Sequence, residues 1–257
     1  GHAYGWLLTE EQLASGFKRA ALKDSYQQEL LALRPSFYFS GGFSPDTLKS
    51  LHASLAEWPL GQKEPKPLVR PGIYKPGQHH VAMENKSQAA LRVYSPAPAP
   101  SESNYAAVHA MLTLFGGFFG SRLMKNIREE KGLTYGIGTG FAHRRVASAW
   151  TLATEVNRNT LEEALLEVQK EARKMMEWSI SEEELQLVKN YIAGQRARAF
   201  DGPFLQMDQW IWRNTMELDA TWIVKQQGDL KELRPEDVQK AAQKYLPEDQ
   251  WLVAWAG

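Results

Sequence analysis

Residues 116–138 read GGFFGSRLMKNIREEKGLTYGIG, and more follows from this segment than from any other part of the chain. A helix beginning at Ser121 is predicted to carry Arg128, and a Gly-Leu-Thr turn then leads to Tyr135. A helix end followed by such a turn can aim both side chains into one cleft. A guanidinium and a phenol together offer several hydrogen-bond donors, so the pair can hold peptide carbonyl groups.

The run SRLMKNIREEKGLTYGIG, preceded by a helix and a double glycine, resembles the signature of the second half of pitrilysin/insulinase-type zinc peptidases. This group includes the mitochondrial processing peptidase. The resemblance extends more loosely over residues 8–257 and implies an α+β fold with antiparallel sheets flanked by helices, as in one half of these enzymes. It also implies that Arg128 and Tyr135 stand at the two positions that hold the substrate backbone.

The zinc motif of the resembling family is absent from this sequence. In that family the first half binds zinc through an inverted H-x-x-E-H helix. No histidine of this chain begins that pattern or the direct H-E-x-x-H form; the six are His2, His52, His79, His80, His109 and His143. We therefore expect no metal site and no catalytic residue in this chain alone. The resemblance implies that a partner half, upstream on the same chain or separate, carries the zinc.

The best local candidates for other metal ligands are His80 and Glu84, which would share one face of a strand. At roughly 3.3 Å per residue they would lie about 13 Å apart, which is too far to share one ion. On the predicted helix of residues 45–58, His52 has Ala56 one turn on, where a second ligand would be needed. The histidines are therefore interpreted as ordinary surface or core residues.

Each part of the predicted site also has a purely structural interpretation. Arg128 would pair with Glu129 or Glu130 at the helix end, and Tyr135 would begin a core strand. The glycines near the site suggest a phosphate loop, but no Lys-Ser or Lys-Thr follows at the required spacing, which favours a turn or close packing. A cluster of aromatic residues is open to two interpretations, as core packing or as an apolar wall for a peptide or a partner: Phe200, Phe204, Trp210, Trp212 and Trp222.

Composition limits the function classes. The chain has 257 residues, a formal charge of zero with interspersed signs, and no cysteine. The charge pattern argues against a nucleic-acid partner. The absence of cysteine excludes disulfides and is compatible with a non-cytosolic compartment such as the bacterial periplasm, but leaves the localisation unknown. No apolar run is long enough for a membrane span. Because the chain begins without methionine, we interpret it as a fragment.

The sequence predicts three regions: residues 1–58 as the tail of a preceding peptidase-like module, 59–76 as a linker, and 77–257 as a zinc-free domain. A helix with a capping box is predicted from Thr9 to about Leu22, and Ser44-Pro45 should begin another. Strands are predicted at residues 36–42, 79–84, 89–95, 135–141, 146–154 and 251–255. Further helices are predicted at residues 104–115, 160–178, 181–198, 204–216 and 235–245.

The resulting functional hypothesis is a zinc-free half that completes a cleavage chamber and holds an extended peptide, while a zinc-bearing half hydrolyses it. The expected substrate-binding residues are Arg128 and Tyr135. The alternative is a non-proteolytic structural or assembly subunit of the same fold.

Overall fold

The computed structural model describes residues 8–16, 18–27, 36–57, 73–177 and 179–257. These residues fall into two compact units. The first contains the described residues before residue 73 together with Gly202–Asp208, and the second contains Ile73–Asp201 and Gln209–Gly257. Most of the predicted linker, as far as residue 72, lies outside the described residues. The origin of residues 1–58 in a preceding module stays a prediction.

Nine α-helices and five β-strands are assigned among the described residues. The helices are α1 (Glu10–Gly16), α2 (Arg19–Ser25), α3 (Pro45–Ala56), α4 (Tyr105–Leu112), α5 (Leu161–Glu177), α6 (Glu182–Arg198), α7 (Pro203–Thr215), α8 (Trp222–Glu232) and α9 (Pro235–Tyr245). The strands are β1 (Gly77–Val81), β2 (Gln88–Pro96), β3 (Ile137–Arg144), β4 (Ala147–Asn157) and β5 (Leu252–Ala256). Two π-helical segments, Thr113–Gly117 and Met124–Glu130, follow α4. Helix α8 was not predicted from the sequence.

The predicted start signals of α1 and α3 are confirmed. Thr9 N donates to Gln12 Oε1 at 3.0 Å and Gln12 N donates to Thr9 Oγ1 at 3.2 Å, which is the capping box. Ser44 accepts a hydrogen bond from Thr47 N at 3.1 Å, with proline at the first helical position. In each case a side chain satisfies a backbone N–H group that the helix itself leaves unpaired.

Two other predictions for this part of the chain are wrong. Residues 36–42 form no strand, and Phe37 and Phe39 are exposed. A strand needs a neighbour to pair its backbone groups, and no described strand pairs with this segment. The single helix predicted to reach Leu22 is two helices, because α1 ends at Gly16 and Lys18 is extended. Glycine is a poor helix former.

The second unit is built on one sheet with the strand order β1-β5-β2-β4-β3. The pairs β5 with β2, β2 with β4, and β4 with β3 are antiparallel, and β1 pairs parallel with β5. Helices pack on this sheet, which confirms the predicted α+β class. Strand β3 is an edge strand, and its only described partner is β4.

The core lies on one face of the sheet. Leu91 and Val93 of β2 are fully buried, whereas Arg92 between them is partly exposed. Helix α9 contacts both α4 and α5 over this face. The indole of Trp150 packs edge to face against Trp251 and donates to the backbone oxygen of Tyr245 at 2.7 Å. Burial of these apolar side chains supplies the main stabilisation and fixes the strands that frame the site.

Gly116 explains the double glycine beside the site. A Cβ atom there would lie 2.8 Å from Thr139 Cγ2 and 3.1 Å from a methyl of Leu123. Real Cβ atoms do not approach that closely, so the residue permits close packing of the first π-helical segment on β3.

No helix in the described part of the chain is both long and apolar enough to cross a bilayer.

Candidate functional site

A cleft of about 420 Å³ lies where β2 begins and β4 ends, and both predicted substrate-binding residues line it. Arg128 comes from the second π-helical segment, and Tyr135 comes from the loop that leads to β3. Gln88 and Glu155 also line this cleft. A shallower cleft of about 300 Å³ shares Tyr135, Gln88 and Glu155 and adds Arg92. The two adjoining hollows therefore form one polar surface around Tyr135.

The segment that carries Arg128 is anchored on both sides. Ile127 is fully buried in the core. Asn126 Nδ2 donates to Glu167 at 2.9 Å and to Glu171 at 2.7 Å, both on α5. The hydrogen bond from Asn126 is the main cause that holds the pKa of Glu167 below its usual value, so this acceptor stays charged. Anchoring of the backbone leaves the Arg128 side chain at the cleft wall.

Arg128 stacks on an aromatic ring. Its Cζ lies 4.4 Å from the ring centroid of Phe119, which is itself 61% exposed. Within the described residues, Arg128 makes no ion pair, so the predicted alternative of pairing with Glu129 or Glu130 is not observed. A cation over an aromatic face is attracted by the ring and keeps its N–H groups available to a ligand. Phe119 was missed by the sequence analysis.

Gly132 lies in the turn that follows the second π-helical segment. Its φ of +63° lies in the left-handed region that favours glycine. Across this turn, Leu133 N donates to Ile127 O at 2.9 Å. The chain then reverses toward the sheet, so that Tyr135 comes to lie beside Arg128.

Two threonines hold the backbone on both sides of Tyr135. Thr134 Oγ1 donates to Glu155 O at 2.7 Å and accepts from Gly136 N at 3.2 Å. Thr154 Oγ1 lies 2.9 Å from Gly136 O. The Tyr135 side chain is 95% exposed, so the alternative of a core residue at the start of a strand is wrong. Strand β3 instead begins at Ile137. The loop is therefore fixed while the phenol projects into solvent.

The chemistry offered by this site is binding. Arg128 and Tyr135 are donors that can approach carbonyl oxygens from one side of the cleft. Strand β3 begins two residues after Tyr135, and one of its edges has no partner among the described strands, so backbone N–H and C=O groups continue the same surface. An extended peptide can use such an edge by strand addition.

Metal ligands do not converge in the described ranges: no group of three or more His, Asp or Glu side chains there could hold an ion. His80 stacks on Trp255 with ring centroids 5.4 Å apart, and its Nε2 lies 3.1 Å from Gly257 O. The described residues therefore do not fit the zinc of the resembling family, and His80 has a structural role at the sheet edge.

Comparisons with known proteins give the family and the fold. A family model described as the peptidase M16 inactive domain matches residues 16–192, more than half of the chain. The chain is similar to a peptidase M16 inactive domain from Pseudomonas fluorescens, with a TM-score of 0.76 and 22% identity over 95% of this chain and 58% of that one. No curated protein sequence matches significantly.

Two further solved structures share the fold. A protease from Helicobacter pylori has a TM-score of 0.72 and 16% identity, over 84% of this chain and 53% of that one. A chain of Complex III2 from Candida albicans has a TM-score of 0.67 and 15% identity, also over 84% and 53%. The chain thus spans little more than half the length of these solved chains.

Proposed function

The chain belongs to the family of peptidase M16 inactive domains, and we propose that it holds an extended peptide at Arg128 and Tyr135 while a zinc-bearing half cleaves it. The zinc half is either fused upstream or a separate subunit. In this proposal the two halves face each other and complete one chamber. This chain binds and orients the substrate, and the partner half supplies metal-assisted hydrolysis.

The observation that supports the proposal is the shared cleft of Arg128 and Tyr135 beside a strand edge that no other described strand pairs with. The polar groups of both side chains are available to a ligand. Tyr135 is almost fully exposed, and Arg128 stacks on the ring of Phe119 and forms no ion pair among the described residues. Two such donors can fix peptide carbonyls in register with a neighbouring active centre. Positioned donors to an oxygen that gains charge contribute roughly two to three orders of magnitude each in known enzymes.

The test uses the chain together with its zinc-bearing half. Arg128→Ala and Tyr135→Phe should each lower kcat/KM for peptide cleavage by about tenfold or more, with zinc content and complex formation unchanged. The matched controls are Arg198→Ala and Tyr26→Phe, which remove an exposed guanidinium and an exposed hydroxyl that are not among the lining residues of the cleft. Unchanged turnover in both site variants would refute the substrate-holding role.

A second candidate function is that of a structural or assembly subunit without a proteolytic role. The shared fold with a chain of Complex III2 from Candida albicans favours it, because that chain is part of a multisubunit assembly. Copurification distinguishes the two candidates. A partner with an intact inverted zinc motif supports the peptidase, whereas a stable assembly with no zinc-bearing chain supports the structural subunit.

A further inference from the structure

A separate cavity of about 290 Å³ lies where α4, α6, α8 and the second half of α7 meet. Its walls are largely aromatic. The rings of Trp212 and Trp222 are 5.2 Å apart, and Trp222 lies 5.9 Å from Tyr105, measured between centroids. A groove of about 560 Å³ between α6 and α8 adjoins it, and Arg196 and Phe200 line both. The smaller cavity has the size of one large amino-acid side chain, at the low end of ligand pockets.

The charge lining these two cavities is of one sign. Arg196, Lys189 and Lys231 line them, and none of the described lining residues is acidic. Lys189 is partly engaged, since its Nζ donates to Lys231 O at 2.9 Å and to Leu233 O at 2.7 Å. An apolar site with basic groups at its boundary favours an anionic ligand.

Arg196 is the central group, because it is partly buried and lacks a carboxylate partner in the described structure. It makes one hydrogen bond, from its guanidinium to Gln226 O at 3.0 Å, and no ion pair within 4.0 Å. Burial lowers the pKa of Arg196, and the charges of Tyr105 and Asp229 partly offset this effect. Buried cations are normally paired, because an unpaired charge is poorly solvated away from water. A ligand carboxylate would supply the missing partner.

Two further polar atoms around the cavity are unpaired. His109 Nδ1 and Gln226 Oε1 are buried without a hydrogen-bond partner in the described structure. Burial, with Arg196 and His143 nearby, lowers the pKa of His109 to about 4, so the ring is neutral at pH 7. Buried polar atoms are hydrogen-bonded in most proteins. Small rotations of these side chains would give a ligand amide a donor or an acceptor beside Arg196.

We propose that this cavity binds a carboxylate attached to an aromatic or branched apolar side chain, with the carboxylate on Arg196 and the side chain among Tyr105, Trp212 and Trp222. Such a group occurs in a free acylated amino acid and at the carboxyl end of a peptide. In the second case the preceding residues would lie in the groove between α6 and α8. The site shares no residue with the cleft of Arg128 and Tyr135.

The test is calorimetric titration of the intact chain with N-acetyl-phenylalanine and with N-acetyl-phenylalaninamide, which differ only in the carboxylate. We expect saturable binding of the acid, at least about tenfold tighter than binding of the amide. A difference of this size is what one charge-assisted hydrogen bond between the carboxylate and Arg196 would contribute. This comparison uses the unaltered protein and is independent of variant folding. Equal affinity for acid and amide, or no saturable binding of either, would overturn the proposal.

Variants and a longer ligand define the site. Arg196→Gln should abolish the preference for the acid, whereas Arg198→Gln on the same helix should keep it. A pentapeptide ending in phenylalanine, titrated into the Arg128→Ala variant to weaken binding at the first cleft, distinguishes the two sources: tighter binding than the acetylated amino acid indicates a peptide terminus, and equal binding indicates a free small acid. Arg128→Ala should leave the affinities for the acid and the amide unchanged, which separates this site from the proposed function. Loss of the acid preference in Arg198→Gln as well would contradict the assignment to Arg196.

Discussion

The guanidinium of Arg128 lies over the ring of Phe119 at 4.4 Å, and this contact orients the predicted substrate-binding arginine. Phe119→Ala should weaken binding of an extended peptide to the complex with the zinc-bearing half. An exposed cation–π contact contributes about 0.5 to 1 kcal/mol, so the expected loss is about two- to fivefold in affinity. Phe119→Tyr keeps a ring face and should bind as the unaltered protein does. Equal affinity of all three proteins would show that the stacking has no role in binding.

The hydroxyl of Thr154 should stabilise the loop that presents Tyr135. Thr154→Val removes the hydroxyl that donates a hydrogen bond to Gly136 O at 2.9 Å. The loss of this bond is expected to lower the free energy of unfolding by about 1 kcal/mol. Hydrogen exchange at residues 134–136 should become faster. Thr151→Val is the matched control. Thr151 lies on the same strand as Thr154, and its hydroxyl makes only a long contact of 3.4 Å with Gly140 O. A similar change in both variants would mean that the Thr154 bond does not hold the loop.

Glycine should be required at position 132 because of its backbone conformation, and not because a side chain would clash there. A Cβ atom at Gly132 or at Gly136 would meet nothing within 4 Å, but only Gly132 has a positive φ, of +63°. Gly132→Ala should therefore lower the free energy of unfolding by about 1 to 2 kcal/mol. Gly136→Ala should be neutral or slightly stabilising. Urea denaturation of the two variants checks this, and equal stability would contradict the conformational explanation.

His109 should make the fold less stable in acid. Burial is the main cause that lowers its pKa to about 4, against about 6.5 in the unfolded chain. Above pH 6.5 the ring is neutral in both states, and the full stability is present. As the pH falls toward 4, the unfolded state binds a proton that the folded state excludes, and roughly 3 kcal/mol is lost. His143 has the same shift, to about 4, and adds to the loss in the same direction.

The contribution of His109 can be isolated with His109→Gln, which keeps His143. Urea unfolding at pH 7, 6, 5 and 4 should show that this variant loses less stability with acid than the unaltered protein does. Parallel pH dependences in the two proteins would exclude His109 as the group responsible.

Local signals predicted much of the fold. The capping box at Thr9 and Gln12 and the Ser44-Pro45 pair identify the starts of α1 and α3 without any tertiary information. The strand predicted at residues 36–42 failed because aromatic content does not specify a pairing partner, which is a long-range property. Helix α8 was missed because it buries only Gln226 and Leu230, so its apolar periodicity is weak.

The same distinction applies to the cleft. Arg128 and Tyr135 are close in sequence and could be selected from one motif, although their substrate-binding role stays a prediction. Thr154 could not be selected with them, because its contact with Gly136 depends on the antiparallel pairing of β3 with β4. Nor does the sequence around Arg196 show that α8 and α7 meet it to form a second cavity. Contacts of this kind become visible only when the tertiary arrangement is known.

The position of β5 in the sheet affects how the protein is made. Gly77 in β1 pairs with Leu252 in β5, so the first strand of the sheet joins only after Leu252 has left the ribosome. At the usual pace of translation this delay is on the order of ten seconds. During that time β1 is a short unpaired segment, exposed to wrong partners. A nascent chain that stalls before residue 252 would lack the strand that connects β1 to the rest of the sheet.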